Sequence, residues 1–594
     1  MTSPDQPLQT AIQQAFQALY NHTLAVVPLQ NTKKEFEGTH TFVTFPYTSP
    51  LKKKPDEIAQ EVGTYLIEQS NLIEDFNVVK GFLNLHLKDA IWIDIFQQIY
   101  KNPDFGQHPS LGKKVVVEYS SPNTNKPLHL GHLRNNFLGY AVAEILKLAG
   151  YDVHKTQIIN DRGIHICKSM LAYQKFGQQE TPASSSMKGD HLVGKYYVAF
   201  NKAYKAEVNT LIEQGVDKNT ATKEAPILKE AQAMLQKWED NDPTVVALWK
   251  KMNGWVYEGF NTTYEDIGVD FDSELHESET YLLGKDIIEQ ALEEGIFYKK
   301  ENGSIWVDLQ EEKLDEKLVL RADGTAVYMT QDIGTAELRY KSLGMDKMIY
   351  VVGNEQDWHF KVLFTILKKL GRSYAQDLHH LSYGMVDLPT GKMKSREGTV
   401  VDADELVAEV INIAKQRTLE LGKIEELNEE EAQQLFRIIG LGALKYFLLK
   451  VDPKKRMLYN PMESIDFQGD TAPYIQYNYV RTASVKRTAL QSGVSFNDQL
   501  EGYTALAPSE ADLIRHLADF PKKIQEAADT LAPSVMAQYV YELTRLFSVF
   551  WTQVSILKAE STEARSFRIA LADTVARTIK RGLQVLGIEV PEKM

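Results

Sequence analysis

Glu118-Tyr-Ser-Ser-Pro-Asn-Thr-Asn-Lys-Pro-Leu-His-Leu-Gly-His-Leu-Arg134 is the stretch on which the reading of this chain turns. Just before it, Val115, Val116 and Val117 form a β-branched, continuously apolar run, as expected of a strand buried on both faces of a parallel sheet. Residues 120–127 have turn character. From about His129 the spacing of Leu133, Phe137, Tyr140, Ala141 and Leu148 predicts a helix that closes at Gly150. A buried strand feeding a helix is half of a doubly wound α/β unit, whose ligands bind at the carboxyl edge of the strands. At such a turn a helix N-terminus offers N–H groups and a positive dipole end to phosphate. Gly131 allows close approach, and His129 and His132, at i and i+3, present donors on one face. Two plainer readings of the His pair stay open: zinc ligation, for which no third ligand stands at a fixed spacing, and ordinary surface or core histidines.

Working outward, further strands are expected at 156–159, 348–352 and 381–386, separated by helical stretches, which means a doubly wound sheet. A long, charged, helix-rich segment at about 181–267 interrupts the alternation and reads as an insertion. Residues 1–110 mix short helices and strands, with a helix at 56–70 and a strand at 81–87, and end in turn residues at 102–109. After Asp404 the pattern is helical to the end, and Leu543, Leu546, Phe547 and Phe550 form one apolar stripe that belongs to a core. The expected organisation is an N-terminal α+β domain (1–110), an α/β domain (111–404) and a C-terminal all-α domain (405–594).

At roughly 150 residues per domain, 594 residues suggest about four structural units. The mean hydropathy of -0.32 and 25% charged residues are those of a globular protein. No run approaches the roughly 18 apolar residues of a membrane span. Residues 1–20 lack the basic and apolar regions of a signal peptide, so a cytoplasmic location is expected. The single cysteine, Cys167, excludes an intramolecular disulfide and any Cys-based zinc cluster. A net charge of -14 argues against non-specific nucleic-acid binding. From Lys445 onward, however, 19 basic residues balance 17 acidic ones, which lets a polyanion approach that region.

Residues 121–132 resemble the first signature of class I aminoacyl-tRNA synthetases, in the form used by arginyl-tRNA synthetases. Arg321-Ala-Asp-Gly-Thr325, Tyr328-Met-Thr-Gln-Asp332 and Tyr350-Val-Val-Gly-Asn-Glu-Gln-Asp-Trp-His359 are similar to that family's middle motifs. Gly391-Lys-Met-Lys-Ser-Arg-Glu-Gly398 resembles the second class I signature, and Thr471-Ala-Pro-Tyr-Ile-Gln-Tyr477 the anticodon-binding helix. The terminal Gly587-Ile-Glu-Val-Pro-Glu-Lys-Met594 also matches, so the likeness covers the whole length.

The resemblance implies a split Rossmann catalytic domain, with the second signature near its end, and a helical anticodon-binding domain. It implies L-arginine, ATP with Mg2+ and tRNA(Arg) as substrates, with no further metal, and a monomer away from membranes. Arginine is then held by Asn123, Tyr328, Asp332, Gln356 and a carboxylate for which Glu277 is the best match and Glu279 the alternative. A guanidinium is a planar fork of donors, so its pocket needs acceptors set in pairs. Tyr328 and Asp332, at i and i+4 on a helix, face one space. His129, Gly131 and His132 hold adenosine and phosphates, with His359 beside the adenine and Lys126, Lys392 and Arg396 as cations. Most class I enzymes carry a second lysine in the later signature, where this chain has Ser395; Lys126 is expected to supply the missing charge. In the N-terminal domain Phe82 and Asn84 match the aromatic and amide that contact a tRNA elbow base, and Tyr474, Tyr477 and Arg481 suit an anticodon loop. The rivals are specificity for another amino acid and a catalytically silent RNA-binding paralogue, against which intact Lys126, His129 and His132 speak.

Overall fold

A computed structural model of the chain describes residues 4–33, 35–387, 401–422, 427–493 and 500–594. The second signature, with Lys392 and Arg396, lies outside the described residues. The chain forms two compact units: residues 1–107, 477–523 and 539–581 make one, and 108–476, 524–538 and 582–594 the other.

In the first unit, strands β1 (Leu29–Asn31), β2 (His40–Val43), β3 (Ile73–Val79) and β4 (Phe82–Leu87) pair antiparallel in the order β1-β2-β4-β3. The helix Pro55–Gln69 lies on this sheet, burying Ile58, Val62 and Leu66 at i, i+4, i+8. Gly63 makes that approach feasible, because a Cβ there would fall 2.4 Å from the ring of Phe76. The helix Asp89–Lys101 joins the sheet to the C-terminal helices of the same unit. Leu506 donates its N–H to Asp89 Oδ2 at 2.8 Å, and Gln97 Nε2 donates to Leu500 O at 3.1 Å. The rings of Phe96 and Phe567 meet edge to face at 4.9 Å.

The second unit contains β5 (Lys114–Glu118), β6 (Asp152–Ile159), β7 (Ser273–His276), β8 (Tyr298–Lys299), β9 (Ile305–Val307), β10 (Lys317–Leu320), β11 (Lys347–Gly353) and β12 (Leu378–Tyr383). Five of these form an all-parallel sheet in the order β12-β11-β5-β6-β7. Val115, Val116 and Val117 are fully buried at its centre, as the sequence requires. From β5 the chain runs outward to β6 and β7, then returns to β11 and β12 on the other side. The order therefore reverses between β5 and β11, and it is outside the carboxyl ends at such a reversal that open α/β sheets bind their ligands. Between β6 and β7 stand the insertion helices Gly189–Glu213, Lys218–Glu224, Pro226–Glu239 and Pro243–Ile267.

The structure adds elements that the sequence pattern did not predict. β7, a half-exposed edge strand, has one apolar residue in four. β8–β10 form a small antiparallel sheet that carries the turn at Arg321. The strand expected at 381–386 is two: β12 ends at Tyr383, and Val386–Asp387 pairs instead with Met457–Leu458. Among the described residues no helix is long and apolar enough to cross a membrane.

Candidate active site at the carboxyl edge of the parallel sheet

After β5 the chain crosses residues 119–129 and enters the helix Leu130–Leu148, with His129 as its N-cap. The two signature histidines cap this helix reciprocally. Gly131 donates its N–H to His129 Nδ1 and His129 donates its own to His132 Nδ1, both at 3.1 Å. Since each Nδ1 accepts, each neutral ring carries its proton on Nε2. Burial, reinforced by the nearby Lys126 ammonium, holds His129 down to about 3, and burial keeps His132 well below its usual range. Both are therefore neutral donors near pH 7.

One expectation fails here. The N–H groups at the start of the helix are spent inside the protein: Leu130 donates to Val401 O at 3.2 Å, Gly131 to the His129 ring, and His132 and Leu133 to His129 O. The donors left at this helix start are the imidazole Nε2–H groups and the Lys126 amine, beside the positive end of the helix dipole, and not free backbone N–H groups. Burial lowers the Lys126 amine below its ordinary value.

The ends of the other strands carry the remaining residues. Asn123 is exposed beside β5 and forms a parallel bridge with Asn160, just beyond β6. Gln356 is exposed after β11. Glu277 follows β7 and is half-buried, whereas Glu279 is exposed, so of the two carboxylates Glu277 is the one turned inward. Burial pushes the Glu277 carboxyl up to about 7, with Arg162 opposing the shift and Asp161 and Asp332 adding to it. Tyr328, 77% exposed, opens the helix Tyr328–Leu343, and Asp332 follows one turn later. The His359 Nε2 lies 2.5 Å from Asp332 Oδ2, which ties this ring to the Asp332 carboxylate.

Residues that local sequence did not single out hold the pocket in place. Asp161, 1% exposed, accepts from Ser278 N at 2.8 Å, Ser278 Oγ at 2.7 Å and Tyr257 Oη at 2.8 Å, which fixes the turn bearing Glu277. Arg162 stacks on Tyr281, with its guanidinium 3.8 Å from the ring centroid, and pairs with Glu239 at 2.9 Å. Glu118, which ends β5, and Arg339 on the helix Tyr328–Leu343, both buried, form an ion pair. A lone acid ending a valine strand was the signal available for Glu118; Asp161 and Arg162 had only their place just past β6.

The residues expected to touch RNA divide. Phe82 is half-buried, its ring edge-on to that of the exposed Phe45 at 5.6 Å. Asn84 is corrected: it is fully buried, donating to Asn77 Oδ1 at 2.8 Å and accepting from Thr41 Oγ1 at 2.6 Å, so its amide faces the interior of the sheet and not solvent. Tyr477 and Arg481 lie one turn apart on the helix Ala472–Gln491, the Arg481 guanidinium 4.1 Å from the Trp551 ring centroid. Tyr474, half-buried, belongs to the other unit.

Family models match the chain in three consecutive stretches: the arginyl tRNA synthetase N-terminal domain at residues 6–87, the class I (R) tRNA synthetase catalytic domain at 96–459, and the DALR anticodon-binding domain at 475–594. The parallel sheet is thus that of a class I aminoacyl-tRNA synthetase. Among relatives, the arginine–tRNA ligase of Amoebophilus asiaticus is 56% identical across 99% of this chain and all of that one. That of Bacteroides fragilis strain YCH46 is 53% identical, covering 99% of both. The chain belongs to the arginyl-tRNA synthetase family. Its fold is also similar to that of the Thermus thermophilus arginyl-tRNA synthetase, with a TM-score of 0.78 and 24% identity over 99% of this chain and all of that one.

Proposed function

We infer that the chain charges tRNA(Arg): it activates L-arginine with ATP to arginyl-adenylate and transfers the arginyl group to the 3′ end of the tRNA. The observation that carries this reading is the pairing, at one sheet edge, of neutral imidazole donors beside a lysine with an inward carboxylate and the Asp332–His359 pair. The arginine carboxylate attacks the α-phosphorus in line and pyrophosphate leaves. The protein supplies position, and positive charge where negative charge develops. Lys126 supplies that charge, while the Nε2–H groups of His129 and His132 hold the triphosphate and Gly131 leaves it room. Lys392 and Arg396 of the second signature join them. Glu277, Asp332, Tyr328, Asn123 and Gln356 receive arginine, and His359 orients the Asp332 carboxylate.

ATP enters as its Mg2+ complex, the ion arriving as part of the substrate. Among the described residues one group of acids and histidine converges as metal ligands do, at Asp190, His191 and Asp404, and the Lys188 ammonium already lies 2.5 Å from Asp404 there. Residues 1–110 and 405–594 are assigned to tRNA, with Phe82 at the elbow and Tyr474, Tyr477 and Arg481 at the anticodon stem-loop. The protein acts as a cytoplasmic monomer. The test is aminoacylation of total tRNA with each of the twenty amino acids in turn. Arginine alone should be transferred, and transfer of another amino acid, or of none, refutes the reading.

A further inference from the structure

The insertion helix Gly189–Glu213 begins in a cluster of charges that no step above uses. Lys188 Nζ lies 2.5 Å from Asp404 Oδ2, 2.6 Å from Thr263 Oγ1 and 3.3 Å from Asp190 Oδ2. His191 Nε2 stands 3.0 Å from Asp402 Oδ2 and 3.3 Å from Asp404 Oδ2. Thr263, on the helix Pro243–Ile267, donates to Asp404 Oδ1 at 2.9 Å. Asp190 is fully buried where this helix crosses the first. A Cβ on Gly259 would sit 2.4 Å from Asp190 Oδ1, and one on Gly189 would sit 2.0 Å from Trp255 O. The two insertion helices are thus locked together at the point where both reach Asp404.

Asp402 and Asp404 follow the second signature directly in sequence, and they are bound to the first. Asp402 forms an antiparallel bridge with His129, Leu130 donates its N–H to Val401 O at 3.2 Å, and Ala403 donates to Leu128 O at 3.0 Å. One turn further along the insertion helix, Gly194 packs directly on the first signature. A Cβ there would meet Pro127 Cδ at 2.8 Å, with Lys126 Cα at 3.7 Å.

We propose that Lys188, His191 and Gly194 are positioning residues for the activation step, with which the insertion sets the distance between the segment bearing Lys126 and His129 and the segment that follows the second signature. His191 and Lys188 act through Asp402 and Asp404, and Gly194 acts through the Lys126–Pro127 backbone. The proposal rests on the ATP-dependent activation inferred above. It predicts a particular kinetic signature, because a shift of these segments misplaces phosphate-binding groups while leaving the arginine carboxylates where they are.

The experiment is arginine-dependent ATP–pyrophosphate exchange by the full chain with tRNA present, alongside thermal melting. His191→Ala and Gly194→Ala should lower kcat on the order of tenfold to a hundredfold, the scale of a small misplacement of reacting groups. The KM for arginine should stay within about twofold, and His191→Gln, which keeps an N–H group near Asp402 without the charge, should recover part of the loss. The effects of His191→Ala and Asp402→Asn should be non-additive, since one acts through the other. An unchanged kcat in both alanine variants, or additive effects, overturns the positioning role. A Tm loss with arginine and ATP constants moving together shows a merely structural contact and overturns it equally. Absence of exchange in the unaltered protein with every amino acid strikes the function itself, and is distinguishable because it precedes any substitution.

Discussion

Burial lifts the Glu277 carboxyl to about 7, so this group changes charge near neutral pH while a guanidinium keeps its own. The sign follows directly: below about pH 7 the free enzyme presents a neutral acid to the substrate, and above it a carboxylate. The KM for arginine should therefore rise as pH falls through about 7, and Glu277→Gln should give a high KM that no longer varies with pH. Arginine titrations one unit either side of neutrality decide it, and a flat wild-type profile would remove Glu277 from the pocket. Lys126 belongs to the same scale. Its half-buried amine stands beside two imidazoles that are neutral near pH 7, and Ser395 replaces the lysine usual in the second signature. Lys126→Ala should lower turnover by about 10² to 10³ with little change in the KM for ATP, as for the loss of one preorganised donor. Near-normal turnover in that variant, with collapse in Lys394→Ala, would return the cationic role to the second signature.

The helix start at His129 shows how far local sequence carries an element. The valine run of β5 was legible because burial on both faces leaves no alternation to misread, and the insertion was legible from its charge. The spent N–H groups were not: the partner of Leu130, Val401, comes from a distant part of the chain, and the His129 ring and carbonyl that take the others are set by the turn's geometry. Asn84 failed for the same reason: a strand's own alternation says nothing of Thr41 and Asn77 across the sheet. β7 was missed because an edge strand needs few apolar residues. The capping pair also makes a prediction about acid stability. His129 is held neutral down to about 3 in the folded chain, against an ordinary value of 6.5. Between those values the unfolded chain takes up a proton that the folded one refuses, so stability falls as pH drops below 6.5. His129→Asn keeps a capping side chain but not the proton site. Its urea midpoint should fall less than that of the unaltered protein between pH 7 and the acid range; equal falls would place the proton uptake elsewhere.

At the scale of the whole chain, residues 1–107 share a compact unit with helices from the far end of the sequence, a pairing that no stretch of sequence announces. Removing the N-terminal domain to test its role with tRNA would strip those helices of the Asp89–Lys101 helix, so point changes are the sharper tool. Phe45→Ala combined with Phe82→Ala should raise the KM for tRNA by about tenfold or more, since stacking on one base is worth roughly 1 to 3 kcal/mol, and leave the KM for ATP alone. An unaltered KM for tRNA would take the aromatic pair out of the elbow contact. Cooperativity is the deeper question. Phe96 is fully buried, with the Phe567 ring 4.9 Å away, while Leu506 and Leu500 bond to the same helix at Asp89 and Gln97. Phe96→Ala should cost about 3 to 5 kcal/mol, because the cavity borders both the N-terminal and the C-terminal parts of the unit. If they open as one body, amide hydrogen exchange should quicken by the same free energy in the helices Pro55–Gln69 and Pro508–Ala518, far apart in sequence. Loss of protection in the first helix alone would mean that the N-terminal segment unfolds by itself and that its packing on the C-terminal helices adds little to either.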